Sequence, residues 1–384
     1  MSVLTPQTPQ ELAEALGAAN ERKQTVTLGG NFSKNGMAGP SGNSDVLIST
    51  SGLRQVLKYE PGDLTISVEA GLSYRDFSAL LAERRQMVPL DPPFAGEGTV
   101  GGVVAANLSG PRRRLYGTAR DMVIGMKFAT LEGKIIQSGG MVVKNVAGLD
   151  MAKLMIGSFG TLAAITVVNF KLIPMPLVEK TFLLPYGSLK EAVAARDRIL
   201  RSVLQPQSVD LLNTKASARL GRGGVLLAVQ AGGNAAVIDR YARELGALGS
   251  AMSLEGAEEA DFWQQVREFT PSFLKNCPEG CVVRVSSTIT GLAEVIGSLK
   301  APCVARAGSG IAWGYFERSE EAARWMKQAV EKGWKAIIEF APERQKQTLE
   351  LWPLSGGDLA IMQRIKRMFD PQNLLNRGRL YRHL

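Results

Sequence analysis

The part of the chain that decides the fold reads TVGGVVAANLSGPRRRLYGTARDMVIG over residues 99–125 and GGMVVKNVAGLDMAKLMIGSFGTLAAIT over residues 139–166. Both stretches combine closely spaced glycines with runs of branched apolar residues. A third block of different composition, FDPQNLLNRGRL, occupies residues 369–380. Glycine has no side chain, so main-chain N–H groups in such loops can converge on a ligand, and they bind phosphate well. The pattern indicates a phosphate-bearing cofactor.

More glycines stand upstream, with Gly29, Gly30 and Gly36 in a loop after a predicted strand and Gly98 before the second loop. For any one loop the alternative is that glycine only marks a turn. Several such loops together favour ligand binding. No G-x-G-x-x-G follows a strand and opens a helix, and no P-loop is present, which disfavours a Rossmann site or a nucleotide triphosphatase.

The composition is that of a globular protein of two or three domains, with 384 residues, 45% apolar residues and a net charge of +9. The positive balance suits an anionic cofactor or an acidic protein partner. No basic block with interleaved aromatic residues occurs, so nucleic acid is not an expected partner. The N-terminal residues do not have the pattern of a secretory signal, and no apolar run is long enough for a confident membrane span. We expect a cytoplasmic location and leave open a peripheral membrane association through a complex.

The chain contains a single histidine, His383, and three cysteines, Cys277, Cys281 and Cys303. A Ser-His-Asp or Cys-His nucleophilic site is therefore disfavoured, and we expect no metal site because a cluster or zinc ion lacks ligands. A cofactor in the N-terminal half of the chain cannot be linked to histidine or cysteine, because neither residue occurs before Cys277, and this predicts non-covalent binding.

The order of predicted elements indicates an α+β protein. Residues 1–176 form a first domain that ends near Pro174 and Pro176, where the chain is broken. Residues 177–350 alternate strands and helices in a pattern typical of an antiparallel sheet covered by helices, which we interpret as a cap domain. Residues 351–384 are either a tail or a return to the first domain.

The three blocks resemble the FAD-binding domain of the vanillyl-alcohol oxidase and p-cresol methylhydroxylase family, and most closely the FAD-binding subunit of glycolate oxidase with its K-N-V-A-G-x-D segment. The resemblance covers residues 1 to about 176 and the last ~25. It implies FAD between two α+β subdomains, glycine-rich loops at the pyrophosphate, an antiparallel-sheet cap and residues 351–384 returning to the FAD-binding domain.

The resemblance also implies the cofactor-binding residues. The first loop supplies Gly29, Gly30, Asn31, Ser33 and Gly36, and the second supplies Thr99, Gly101 and Gly102. Asn107 and Gly110 are implied on the path to the flavin ring and Asp121 near the adenine. Lys144, Asn145, Gly148, Asp150, Gly160, Thr161 and Ile165 form a further wall, and Asn376 and Arg379 return to the flavin.

Four positions depart from the family pattern. Leu28 stands where arginine is common, Asn31 and Phe32 interrupt the glycine run, and Arg377 replaces a proline. The altered first loop predicts a reduced affinity for the pyrophosphate. The basic run Arg112–Arg114 is either a solvated loop or a surface for an acidic partner.

The resemblance implies a 2-hydroxy-acid oxidising complex in which a larger FAD-containing subunit and an iron–sulfur subunit accompany this chain. Related enzymes use histidines near the substrate, which this chain lacks, so we assign the chemistry to a partner; the alternative is a base such as Tyr315 or Glu317. The catalytic residues stay unknown. A self-sufficient FAD-dependent oxidase or dehydrogenase of another small alcohol and a non-catalytic interaction protein of the same fold are the competing hypotheses.

Overall fold

A computed structural model of the chain describes residues 3–142, 149–353 and 356–384. The chain divides into two compact units. The first comprises Met1–Leu108, Gly117–Met175 and Ser355–Leu384, and the second comprises Ser109–Tyr116 and Pro176–Leu354. This division differs from our sequence-based boundaries in residues 109–116, which group with the second unit. There Arg112 Nη2 donates to Glu179 Oε1 at 2.8 Å and Arg114 Nη1 donates to the main-chain oxygen of Pro206 at 3.0 Å.

The strands, in chain order, are β1 (Val3–Leu4), β2 (Val26–Gly29), β3 (Val46–Ser49), β4 (Val56–Glu60), β5 (Thr65–Glu69), β6 (Gln86–Met87), β7 (Val123–Ala129), β8 (Ile135–Gly139), β9 (Ala164–Lys171), β10 (Ile173–Pro174), β11 (Val178–Tyr186), β12 (Ser208–Leu212), β13 (Val225–Gly233), β14 (Met252–Leu254), β15 (Cys281–Ser286), β16 (Cys303–Arg306), β17 (Ile311–Phe316) and β18 (Lys335–Phe340).

The α-helices are α1 (Pro9–Glu21), α2 (Tyr74–Ala82), α3 (Val100–Ala105), α4 (Arg113–Tyr116), α5 (Ala119–Met122), α6 (Met151–Met155), α7 (Leu189–Arg201), α8 (Thr214–Arg219), α9 (Ala235–Gly246), α10 (Gly256–Arg267), α11 (Phe269–Asn276), α12 (Leu292–Ser298), α13 (Ser319–Glu331) and α14 (Asp358–Phe369). Within the described ranges, no helix is long and apolar enough to cross a lipid bilayer.

The first unit contains two main sheets. Strands β1, β3 and β2 form a parallel sheet in the order β1-β3-β2, and an antiparallel sheet has the order β4-β5-β9-β7-β8. Helix α1 begins after Thr8, whose side chain accepts a hydrogen bond from the main-chain N–H of Glu11. It buries Leu12 and Leu16, one helical turn apart, against Val26.

The C-terminal segment belongs to this same core. Leu374 and Leu375 pack with the buried residues of α1 and β2. The segment also runs parallel to β2, with Val26 N donating to Leu374 O at 2.8 Å and Asn376 N donating to Val26 O at 2.9 Å. Residues 374–376 therefore extend the three-stranded sheet, although they lie about 350 residues from β2 in sequence.

The second unit is built on one sheet of eight strands in the order β14-β11-β13-β12-β16-β17-β15-β18, and its pairings are antiparallel. Helices pack on both faces near β11. Tyr241 of α9 stacks on Phe182, whereas Trp263 of α10 donates its indole N–H to Thr181 on the opposite face. The predicted α+β class, with an antiparallel sheet in the second half, is confirmed.

Candidate functional site

The first unit contains a cleft at the carboxyl end of β2. Three glycine-containing stretches and the C-terminal segment meet there. The residues that line it are Thr27, Leu28, Gly29, Gly30, Asn31, Phe32, Ser33, Lys34, Asn35, Ser41, Thr50, Thr99, Gly101, Gly102, Ala105, Ala106, Phe159, Gly160, Ala163, Ile165, Asn376 and Arg379. The structure thus brings together predicted residues from all three blocks and from the first loop.

The first loop leaves β2 at Gly29 and makes a close approach to the second loop at Gly30. A Cβ built on Gly30 would lie 2.2 Å from Thr99 Oγ1, so no side chain fits at this position. Phe32 has a φ of +54°, a left-handed conformation that glycine adopts without strain and phenylalanine does not. Its ring lies against Gly29, where a Cβ would stand 2.5 Å from the ring. Phe32 therefore has a strained backbone conformation, and it forms part of the wall of the cleft.

The second loop enters helix α3. Thr99 is buried and caps the helix, because its hydroxyl accepts a hydrogen bond from Gly102 N at 3.2 Å. Gly101 packs directly on Ala70, with a built Cβ only 2.7 Å from the Ala70 methyl. Glycine at 101 allows this close packing, and glycine at 102 leaves the cleft side of the first turn open.

Asn376 connects the C-terminal segment to the first loop. Its Oδ1 accepts a hydrogen bond from Leu28 N at 2.7 Å, and its Nδ2 donates to Leu28 O at 3.1 Å and to Phe159 O at 2.8 Å. The side-chain amide is thus engaged by main-chain atoms on two walls of the cleft. In this structure Asn376 positions the end of β2, and its contact with the cofactor stays a prediction.

Arg379 holds the same loop further along. Its Nη1 donates to the main-chain oxygens of Asn35 and Gly39 at 2.9 and 2.8 Å, and its Nη2 donates to that of Lys34 at 3.1 Å. The Gly39 N–H donates back to Arg379 O at 2.9 Å. Arg379 as a whole residue is 9% exposed, and its guanidinium holds the first loop through these main-chain oxygens.

Three predicted residues lie outside the cleft lining and have local structural roles. Asp121 closes a capping box on α5 by accepting hydrogen bonds from Thr118 N and Oγ1. Asp150 caps α6 by accepting from Lys153 N at 3.3 Å. Thr161 is buried, and its hydroxyl donates to Ser158 O at 2.7 Å.

The other predicted residues divide as follows. Gly36 lies in the first loop but not on the cleft wall, and Asn107 is exposed just after α3 with a φ of +48°. Gly110 belongs to the second unit. Lys144, Asn145 and Gly148, predicted together with Asp150 from the K-N-V-A-G-x-D segment, lie outside the described residues.

Lys34 and Phe159 are among the residues that line the cleft and that sequence reasoning did not predict. Lys34 is half-buried next to Ser33, and its Nζ donates to Ser33 Oγ at 2.9 Å. Phe159 has a φ of +54° and packs edge-on against Tyr381. The signals were present, since Lys34 is a cation inside a glycine-rich loop and Phe159 is a large residue between Gly157 and Gly160.

One face of the second unit's sheet carries a row of charged residues that pair with one another. Asp210 accepts a hydrogen bond from Arg306, whose guanidinium lies 5.3 Å from the centre of the Trp313 ring. Glu339 accepts from Trp313 Nε1 at 2.7 Å and from Arg284 Nε at 3.1 Å. Each arginine of this row therefore already has a carboxylate partner inside the unit.

The two residues considered as alternative bases also lie in this unit. Tyr315 is 2% exposed and packs against Phe269 and Phe273, and its hydroxyl lies 3.0 Å from that of Thr270. Burial raises the pKa of the Tyr315 phenol above its ordinary value. Tyr315 is thus protonated at neutral pH, which disfavours it as a base. Glu317 is exposed and pairs with Arg219 at 3.2 Å.

The cleft in the first unit fits the phosphate-bearing part of a dinucleotide cofactor. Gly29, Gly30 and Gly102 present main chain without side chains, and Lys34 supplies positive charge. The fold and the cleft define a protein that binds a phosphate-bearing cofactor on an α+β domain, with a second domain built on an antiparallel sheet.

Comparison with known proteins identifies the cofactor and the family. Residues 2–139 match the model described as FAD binding domain, and residues 343–380 match that of FAD linked oxidases, C-terminal domain. The chain is 31% identical over 385 residues to the glycolate oxidase subunit GlcE of Escherichia coli, with 98% of each chain covered. It is 26% identical to the glycolate oxidase subunit GlcD of Bacillus subtilis, covering 99% of this chain and 88% of that protein. The chain belongs to the family of FAD-linked oxidases that includes these subunits.

Solved structures support the fold. The 4-ethylphenol oxidase of Gulosibacter chungangensis superposes with a TM-score of 0.76 at 14% identity, covering 98% of this chain and 88% of that one. An alkyldihydroxyacetonephosphate synthase gives a TM-score of 0.71 at 17% identity, covering 97% and 76%. The predictions of an FAD-dependent oxidoreductase, of FAD as the cofactor and of this fold are confirmed.

Proposed function

We propose that this chain is the FAD-binding subunit of a glycolate or 2-hydroxy-acid oxidase complex, in which it holds FAD non-covalently and passes electrons to a partner subunit. The observation that carries this proposal is the end-to-end match to GlcE, 31% identical with 98% of both chains covered. The predicted partners are a larger FAD-containing subunit and an iron–sulfur subunit.

The distribution of charged side chains supports the proposal that a partner subunit supplies the groups that act on the substrate. Oxidation of a 2-hydroxy acid needs a cation for the carboxylate and a base for the hydroxyl or α-proton. Arg306 and Arg284 are already paired with Asp210 and Glu339, and the one histidine of the sequence stands next to the C-terminus. A partner that contributes both the cation and the base accounts for these two features.

Within the first unit, the role of this chain's residues is to bind and orient. The main chain of the glycine loops receives the phosphates, and Asn376 and Arg379 keep the first loop in place through its main-chain atoms. Bound FAD supplies the two-electron acceptor of the reaction. We assign no proton transfer to a residue of this chain.

A basic groove on the second unit supports docking of an acidic partner surface. Four cations line it, Lys215, Arg219, Lys300 and Arg324, together with Glu317 and Glu321. Arg219 pairs with Glu317, and Glu321 pairs with Arg318. The side chains of Lys215, Lys300 and Arg324 are exposed and form no ion pair with another described residue, so their charge is available to a partner.

The proposal is tested by comparing the chain alone with the chain co-expressed with the two partner subunits. We expect the isolated chain to bind one FAD that acid precipitation releases, and glycolate to leave this flavin oxidised under anaerobic conditions. The assembled complex should reduce an artificial acceptor with glycolate. Reduction of the flavin in the isolated chain at the rate of the complex, or failure of the subunits to co-purify, would contradict the proposal.

The groove is tested in the same assay by charge reversal. Lys215→Glu, Lys300→Glu and Arg324→Glu together should weaken co-purification of the partners, more so at low salt, while FAD binding is retained. The matched control reverses three exposed lysines outside the groove, Lys127, Lys190 and Lys275. Equal behaviour of the two triple variants would remove the groove from the proposed interface.

A further inference from the structure

We propose that Lys34 is a diphosphate-binding residue, whose ammonium group contacts the phosphate oxygens of bound FAD. The family pattern of the first loop does not single out this side chain. The inference requires FAD binding by the first unit and is independent of the proposed complex.

The position of Lys34 carries the proposal. The ammonium lies between the two glycine loops, with Nζ 2.9 Å from Ser33 Oγ. It stands 3.2 Å from where a Cβ on Gly98 would lie and 3.5 Å from the corresponding point on Gly102. Glycine at these two positions therefore keeps side chains away from the ammonium, and both Lys34 and Gly102 line the cleft.

The charge of the cleft points to the same residue. Among the described residues that line it, the positively charged ones are Lys34 and Arg379. Arg379 donates to three main-chain oxygens of the first loop, which leaves Lys34 as the cation placed between the glycine loops. Leu28 stands where the family commonly has arginine, so the loop lacks that positive charge. The ammonium of Lys34 offsets part of the negative charge of the diphosphate in its place.

Arg379 also fixes the main chain at Lys34. One of its three acceptors is the carbonyl oxygen of Lys34 itself, and Met37 N donates to the same oxygen at 2.9 Å. The main chain at Lys34 is thus fixed from two sides, and only the side chain has to adjust to a ligand. A preorganised cation binds phosphate with a smaller loss of conformational entropy.

The experiment measures dissociation constants of the full-length apoprotein for FAD, for ADP and for riboflavin. FAD and riboflavin are followed by quenching of flavin fluorescence and ADP by calorimetry. Lys34→Met should weaken FAD and ADP by a similar factor, on the order of 10- to 100-fold, because a charge-assisted hydrogen bond to phosphate is lost. Riboflavin has no phosphate, so its binding should stay within about twofold. The salt dependence of FAD binding should also become shallower.

Two further variants complete the test. Lys34→Arg keeps the charge and should bind FAD more tightly than Lys34→Met, and Lys127→Met, at an exposed lysine on β7, should bind like the unmodified chain. The proposal is overturned if Lys34→Met binds FAD as tightly as Lys127→Met, or if it weakens riboflavin as much as FAD. Equal losses in Lys34→Arg and Lys34→Met, with a lowered melting temperature of both apoproteins, would assign Lys34 to folding of the loop and overturn it as well.

Discussion

The side-chain amide of Asn376 closes a pair of hydrogen bonds with the main chain of Leu28, accepting from Leu28 N at 2.7 Å and donating to Leu28 O at 3.1 Å. The side chain of Asn376 therefore bonds to the main-chain N–H and C=O of Leu28, as the main chain of a neighbouring strand would. The third bond, to Phe159 O at 2.8 Å, joins the opposite wall of the cleft. The cofactor cleft and the C-terminal segment are consequently one structural feature.

Replacing Asn376 with aspartate tests this feature. The shape is kept, but the carboxylate cannot donate to Leu28 O and Phe159 O, and it places negative charge beside both oxygens. We expect a loss of about 1–3 kcal/mol in the free energy of unfolding, from urea titration followed by circular dichroism, together with weaker FAD binding. Asn20→Ala, on α1, is the control and should change FAD binding by less than twofold. An Asn376→Asp variant with unchanged stability and FAD affinity would contradict the positioning role.

Gly30 provides a test of the close approach between the two loops. A Cβ at this position would meet Thr99 Oγ1 at 2.2 Å, Thr99 Cγ2 at 2.8 Å and Thr99 Cβ at 3.0 Å. Gly30→Ala must therefore push the first loop away from the second, at a cost of about 1–3 kcal/mol in stability and at least ~10-fold in FAD affinity. The matched control is Gly96→Ala, where no atom lies within 4 Å of the built Cβ. Similar FAD dissociation constants for the two variants would argue against the two-loop site.

The buried carboxyl of Glu259 is expected to make the stability of the second unit depend on pH. Its Oε1 accepts hydrogen bonds from Gln230 Nε2 at 2.7 Å and Thr181 Oγ1 at 3.0 Å. Burial is the main cause that raises the pKa of this carboxyl above its ordinary value, the charge of Glu179 raises it further, and the hydrogen bonds and Arg112 oppose the shift. The protonated form is thus favoured by folding, so this contribution to stability is fully present below the unfolded-state pKa and is lost as pH rises through the folded-state pKa.

Glu259→Gln removes the titrating proton and keeps an oxygen acceptor. Relative to the unmodified chain, this variant should gain stability as pH rises from about 4 towards 7, by on the order of 1 kcal/mol, and then stay level. Urea unfolding at several pH values measures the difference. A stability difference that does not change with pH over this range would show that the carboxyl has the same pKa in the folded and unfolded states.

The sequence by itself determined the α+β class, the FAD family and the segments of the first and second loops. Glycine spacing and apolar periodicity are local signals, because they reflect main-chain access and burial of one face of a helix or strand. The family resemblance, and not these local signals, predicted one site from Gly30, Thr99, Gly160 and the C-terminal block, and in the structure these residues line one cleft with Asn376 and Arg379. A cation inside a glycine-rich loop is a signal for Lys34, but the sequence alone does not distinguish a lysine that contacts a ligand from one that is solvated.

Only the tertiary structure decided what the C-terminal block does and how the charged groups are paired. Asn376 and Arg379 bond to main-chain atoms about 340 residues away in sequence, and Arg306 meets Asp210 through the pairing of β12 with β16. Such pairs depend on strand order and on which backbone oxygens the fold leaves without partners. These long-range pairs are properties of packing, so no local sequence pattern encodes them. They distinguish the residues that form the cleft from those that hold it in shape.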